Sequence, residues 1–199
     1  MQNALRFSHP QRVTRVVELE TKQQSDDSLV ARFRRGDVDA FGELYERHRG
    51  GLYGYALSIC LDPAKASDAV QELWLGFLQN IEALANVANV RAYLYRSLRN
   101  RVLDEFRKRQ REKSALTGST PVVLIKPRDT VASQEEAAKL NEALQRLPEE
   151  QREVVLLRIY ADMKFGDIAD VLQASTKTVE SRHRLALEKL REWLDADES

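Results

Sequence analysis

Phe165-Gly-Asp-Ile-Ala-Asp-Val-Leu172, the pair Gln173-Ala174, and Ser175-Thr-Lys-Thr-Val-Glu-Ser-Arg182 follow one another without a break. The stretch fits a helix-turn-helix. Ala169 is the small residue that lets two helices approach. Ser175 or Thr176 caps the second helix, because a hydroxyl there accepts from backbone N–H groups that a helix start leaves unpaired. Val179 plugs the second helix onto the first. Advancing about 100° per residue from Val179, the inner face holds Val179, His183, Ala186, Leu187, Leu190, Trp193 and Leu194. The outer face holds Lys177, Thr178, Glu180, Ser181, Arg184 and Leu185, with Arg182 at its edge. In a major groove, Lys177 and Arg184 reach phosphates or guanine edges, and Leu185 a thymine methyl. Leu185 reads equally as a protein-contact residue, and His183 as a core or boundary histidine before a base reader.

Working outward, helical patterns cover Gln134 to Arg146 and Pro148 to Tyr160, and the second helix of the motif is expected to run from Ser175 to Asp195. Ahead of them, Ser114 to Thr130 holds Gly118, Pro121 and Pro127 among small polar residues, and the only strand-like run is Val122 to Ile125. Such composition breaks helical periodicity and predicts a flexible linker over 114–133. Further back, Asp26-Asp27 are expected to cap a helix starting near Ser28, and Gly36-Asp37 to break it. A second helix starts near Val38, with Phe41, Leu44, Tyr45, Leu52, Tyr53, Ala56 and Ile59 at three- and four-residue spacing. Leu61-Asp62-Pro63 makes a turn. A third helix is expected from Ala64 to about Leu84, and a fourth from about Val90 to Lys113. The expected architecture is therefore all-α. An N-terminal extension (1–25) precedes one helical domain (26–113), and the linker joins it to a second (134–199).

The fourth helix has two faces. Counting from Leu94, the residues Leu94, Tyr95, Leu98, Val102 and Phe106 fall within about 120°, while Arg96, Asn100, Asp104, Arg107 and Arg111 fall within a separate arc of about 80°. One side packs on the domain, and the other presents guanidinium forks and an amide suited to phosphates and base edges. From Arg91 to Lys113 nine basic residues oppose three acids. From Glu135 to Asp162 seven acids oppose four bases. The formal net charge of zero thus hides segregated fields. Trp74, Phe77, Tyr93 and Tyr95 lie nearby in sequence, as stacking surfaces for bases or as core.

Composition narrows the classes. Of 199 residues, 43% are hydrophobic and 31% charged, with 8 Gly and 5 Pro, which reads as globular and helix-rich. The single cysteine, Cys60, cannot form an internal disulfide, which suits a reduced, cytoplasmic chain. No stretch approaches the roughly 20 apolar residues of a membrane span, so membrane insertion is not expected. The three histidines, His9, His48 and His183, are scattered. With no metal-ligand spacing and no Gly-rich phosphate loop, neither a cofactor nor a catalytic activity is expected.

Several segments in order resemble the extracytoplasmic-function sigma factors. In the first half these are Asp27-Ser-Leu-Val, Gly36-Asp37, Ala40-Phe41, Leu44-Tyr45, Ala66-Ser-Asp-Ala-Val-Gln-Glu72, and Arg91-Ala-Tyr-Leu-Tyr-Arg-Ser-Leu-Arg-Asn-Arg-Val-Leu-Asp-Glu-Phe-Arg107. In the second half they are Leu147-Pro-Glu-Glu-Gln-Arg-Glu-Val-Val-Leu-Leu-Arg158, Ile168-Ala169 and Thr178-Val-Glu-Ser-Arg182. The resemblance implies a sigma region 2 domain and a sigma region 4 domain. It implies that Asp68, Gln71, Glu72, Trp74 and Leu75 dock on the clamp helices of the largest subunit of core RNA polymerase, and that region 4 meets the flap of the second largest. It implies that Arg96, Arg99, Asn100, Arg107 and Arg111, with the Asn80–Asn89 loop, hold the promoter −10 strand, and that Lys177, Thr178, Ser181, Arg182 and Arg184 address the −35 groove. An anti-sigma factor is an implied partner. The chain departs from the family pattern at Ser67, Gln173, Glu180, Leu185 and Leu187. This makes its second half less basic and implies weak DNA affinity without polymerase.

Two other readings compete. Ser175-Thr-Lys-Thr-Val-Glu-Ser also resembles quorum-sensing helix-turn-helix regulators, but those carry a ligand or receiver domain where this chain carries the Val-Gln-Glu and Arg-rich helices. A sigma mimic that only binds an anti-sigma factor would share the pattern and fail to support transcription.

Overall fold

The computed structural model describes residues 24–82, 84, 87–113 and 134–196, excepting the side chains of 104–113, 134–138 and 196. The expected linker and nearly all of the N-terminal extension lie outside the described residues. Within them the chain forms eight helices and no strand: α1 Asp26–Arg34, α2 Val38–Cys60, α3 Pro63–Gln79, α4 Val90–Lys113, α5 Gln134–Arg146, α6 Glu149–Ala161, α7 Phe165–Leu172 and α8 Thr176–Ala196.

Local chemistry fixes the ends. The Asp62 carboxylate accepts from the backbone N–H groups of Ala64 (3.0 Å) and Lys65 (3.3 Å), with Pro63 at the first helical position of α3. Asn89 Oδ1 accepts from Ala92 N at 2.9 Å and starts α4. Two expected boundaries are corrected. The cap of α1 is Ser25, whose hydroxyl accepts from Ser28 N, and the helix begins at Asp26. Asp26 is spent elsewhere: its carboxylate accepts from Arg47 Nη1 (2.7 Å) and His48 Nε2 (2.8 Å), tying α1 to α2. Burial alone would raise the Asp26 pKa, but the bonds from His48 and Arg47 and the nearby Arg91 hold it below the usual carboxylate value. The second correction concerns α3, which stops at Gln79 because Asn80 Nδ2 folds back onto Gly76 O at 2.8 Å. Leu84 lies beyond the helix yet is only 4% exposed. Its apolar spacing pins a loop to the core instead of prolonging the helix.

Helices α1–α4 form one bundle with α2 at its centre, and α5–α8 form a second, smaller assembly. Leu94, Tyr95, Leu98 and Val102 are buried, as the two-faced pattern of α4 requires. Ala143, Leu144, Leu147, Val155, Ala186 and Leu190 make a separate apolar cluster within the second assembly. The main core does not stop at the boundary between halves. It runs from Leu29 and Leu52 through Leu98 to Val154, Leu157, Ile168 and Val179. Helix α6 packs on α2, and α7 on α4. No described helix is long and apolar enough to cross a membrane.

Candidate nucleic-acid interface

The helix-turn-helix is built as its sequence predicts. Ala169 and Val179 are buried where α7 meets α8. Ser175 caps α8 by accepting from Thr178 N at 3.1 Å, and its hydroxyl also pairs with Thr178 Oγ1 at 2.7 Å. Thr178 is thus exposed but engaged in the cap. Gln173 makes the turn with φ 53° and ψ 44°, a left-handed conformation that glycine adopts without strain. Lys177, Ser181 and Arg184 stand in solvent on α8, Arg184 paired with Glu188 one turn on, at 2.8 Å. Arg182 is drawn to the side by Glu150 at 2.5 Å. His183 sits edge-on to Phe165 at 5.1 Å, in the boundary position its pattern predicts, and its pKa is lowered by burial and by the charge of Arg158. One inner-face expectation is corrected: Leu187 is 46% exposed. It sits at the rim of the apolar arc, where α5 meets Ala186 and Leu190 and leaves Leu187 outside.

On α3, Asp68, Gln71, Glu72 and Leu75 recur at helical spacing and form one exposed stripe, with Leu75 59% exposed. Glu72 also accepts from Arg101 Nη1 at 3.1 Å. Trp74 is not part of that surface. It is 5% exposed and packs edge-on against Phe41 and Phe77, both at 5.6 Å, because it points to the opposite side of α3. Its expected direct contact with a partner is corrected: the ring belongs to the core. The same holds for base stacking: Trp74, Phe77 and Tyr95 are core, and Tyr93 is only partly buried.

The largest departure concerns α4. Asn100 is exposed, whereas Arg99 is not free. Its Nε and Nη2 donate to the two carboxylate oxygens of Glu153 on α6, at 2.5 and 3.1 Å. Fully buried Tyr55 donates to Glu153 Oε1 at 3.2 Å. Burial alone would lower the Arg99 pKa, but the Glu153 carboxylate raises it above the ordinary value. The Tyr55 hydroxyl is pushed far up by burial and then by the charge of Glu153. Arg96 Nη2 donates to Asp170 O on α7 at 2.7 Å. Asn89 Nδ2 donates to Asp167 Oδ1 at 2.7 Å, and Arg91 Nη1 to Ala161 O at 3.3 Å. Only the helical backbone of Arg107 and Arg111 is described.

Tyr160 seats this contact. Its carbonyl accepts from Tyr95 Oη at 2.9 Å, and its ring lies over Gly54. A Cβ at Gly51 would strike the Tyr160 carbonyl and the Tyr95 hydroxyl, and one at Gly54 the Tyr160 ring. Gly51 and Gly54 therefore cut a notch in α2 for Tyr160. Residues Gly51, Gly54, Glu153 and Tyr160 are functional candidates that the sequence reading missed. Two glycines three apart inside a strong helical pattern were the available signal.

A two-part helical chain with a helix-turn-helix at its C-terminal end and an Arg-rich helix before the break fits promoter-reading transcription factors. Residues 44–112 match the family model Sigma-70 region 2, and residues 137–190 match Sigma-70, region 4. The chain is 32% identical over 146 residues to the ECF RNA polymerase sigma factor EcfG of Rhodopseudomonas palustris (strain TIE-1), covering 73% of this chain and 80% of that relative. It is 29% identical over 188 residues to the RNA polymerase sigma factor NccH of Alcaligenes xylosoxydans xylosoxydans, covering 89% and 99%. Among solved structures it resembles CnrH in complex with the cytosolic domain of CnrY, with TM-score 0.65 and 27% identity over 87% of this chain and 99% of that one. It also resembles RpoE from Bartonella quintana in complex with the anti-sigma factor NepR, with TM-score 0.66 and 25% identity over 79% and 98%. The chain belongs to the extracytoplasmic-function (ECF) sigma factor family, whose members are promoter-recognising sigma factors.

Proposed function

We propose that this chain works in the cytoplasm by binding core RNA polymerase and carrying it to promoters, where it opens the −10 region. The α3 stripe of Asp68, Gln71, Glu72 and Leu75 docks on the clamp helices of the largest polymerase subunit, and region 4 docks on the flap of the second largest. On α4, Arg96, Arg99, Asn100, Arg107 and Arg111 hold the displaced −10 strand. On α8, Lys177, Thr178, Ser181, Arg182 and Arg184 address the −35 groove. The observation that carries this reading is the order of the two family matches along one chain, each with its own solvent-facing helix surface.

Holding an opened strand offsets the few kcal/mol that unstacking a base costs, so this subunit needs no nucleotide hydrolysis. Arg96 and Arg99 are engaged by α7 and α6, so strand binding requires those helices to leave α4. The 20 residues from 114 to 133 are enough chain for this, reaching about 70 Å when extended. The two similar solved structures were each determined with a bound partner, one of them an anti-sigma factor. This supports an anti-sigma partner here as well.

The test is reconstituted transcription with core polymerase over a genomic DNA library. Promoter-dependent transcripts are expected. Intact core binding with no transcript from any template would turn the reading toward a sigma mimic.

A further inference from the structure

We propose that the chain without partners shuts its own −10 surface. Glu153 takes, on Arg99, the place of a strand phosphate, and Tyr160 in the Gly51–Gly54 notch holds it there. The proposal rests on the reading of α4 as the strand-binding helix.

The chemistry of the contact supports a stand-in for nucleic acid. A guanidinium fork binds a carboxylate and a phosphate in the same two-pronged way. Glu153 meets Arg99 through both oxygens, at 2.5 and 3.1 Å, and is itself buried. The Asp170 carbonyl, a second negative dipole end, takes Arg96 at 2.7 Å. Two arginines that would face a DNA backbone thus face acceptors of the same chain. One acid of the second half, Glu153, and one base of the fourth helix, Arg99, far apart in sequence, are thus brought together here.

The notch gives the contact its position. Glycine inside a helix is disfavoured relative to alanine, yet α2 keeps Gly51 and Gly54 on the face that meets α6. Each admits a part of Tyr160 that any side chain would displace. Tyr95 Oη, on the next turn before Arg99, donates to the Tyr160 carbonyl at 2.9 Å and sets α6 in register with α4. Closing therefore depends on a fitted groove as well as on charge.

Opposing demands on one residue make this testable. Gly51→Ala suits the helix but collides with the Tyr160 backbone, which no side-chain rotation relieves. Glu153→Gln keeps the shape and removes the charge. Both are made in the full chain, with circular dichroism as the check on helix content. Small-angle X-ray scattering reads the separation of the halves. Fluorescence anisotropy with a labelled single-stranded DNA of random sequence reads access to α4. The wild type is expected to be compact and both variants expanded. Single-strand affinity should rise roughly tenfold or more, because a mostly closed population lowers apparent affinity by its open fraction. Adding Arg96→Ala and Asn100→Ala to Gly51→Ala should remove that gain. A wild type as expanded as the variants, or variants as compact as the wild type, would overturn the proposal. Expansion without any gain in DNA binding would leave the closure standing and remove α4 as the strand-binding surface.

Discussion

Helices α4 and α8 carry the two sets of proposed DNA-facing side chains, and the folded chain treats them differently. On α8, Lys177, Ser181 and Arg184 stand in solvent, restrained by little more than an i,i+4 pair. On α4, Arg96 and Arg99 are already bonded to the other half of the molecule. Under the proposed roles, a duplex meets α8 in the free chain, while a single strand must first displace α6 and α7 from α4. The order makes physical sense for promoter opening. Duplex recognition needs no deformation, whereas a melted strand exists only after polymerase has engaged.

The largest expected effect tests the covered helix. Arg96→Ala combined with Asn100→Ala should slow open-complex formation by about 100-fold or more, since each lost base or phosphate contact costs about 1–3 kcal/mol. Permanganate footprinting on assembled holoenzyme reads it, and core binding should be unchanged. Open complexes at the normal rate would remove α4 from strand holding. Next comes the open helix: Arg184→Ala should weaken −35 protection by about 1–3 kcal/mol in holoenzyme and free chain alike. A loss confined to holoenzyme would show that α8 too is covered in solution, and the contrast would fail.

Smaller effects sharpen the same picture. Leu75→Ala should reduce affinity for core polymerase roughly tenfold, as expected for an exposed apolar anchor, and Trp74→Phe should do so far less. Equal losses in a pull-down would put Trp74 back on the surface. Gln173→Gly should stabilise the chain by about 1 kcal/mol, by relieving a left-handed backbone between α7 and α8. Thermal melting checks the sign. Burial pushes the Tyr160 pKa up to about 12. A raised value means that its contribution is whole below the ordinary tyrosine pKa near 10 and is lost as pH rises through about 12. Ultraviolet absorbance titration should show one late tyrosine fewer in Tyr160→Phe.

The sequence revealed the all-helical plan, the two faces of α4 and the helix-turn-helix, because periodicity and capping are local properties. What it hid was long-range. Nothing within a few residues of Arg99 indicates that Glu153, 54 positions away, will take its charge. Helical spacing placed Trp74 next to Leu75 but could not tell the wet side of α3 from the dry one, because both neighbours are apolar. Leu84 carried a correct burial signal and a wrong secondary-structure signal, since a loop pinned to a core looks like one more turn of helix. Asp26 read as a cap because a carboxylate before a helix commonly is one; Ser25 took that duty and left Asp26 for His48 and Arg47.

That exchange bears on where the first folded unit begins. The stretch matching Sigma-70 region 2 starts at residue 44, downstream of α1 altogether. Trimming there would strip Arg47 and His48 of their shared carboxylate, take away the Asp27 oxygen that receives Val90 N, and bare the hydrophobic side on which Leu29 rests. A fragment meant to stand alone must reach back to Ser25, so the edge of a family likeness and the edge of a self-supporting piece differ by all of α1 and the opening turns of α2.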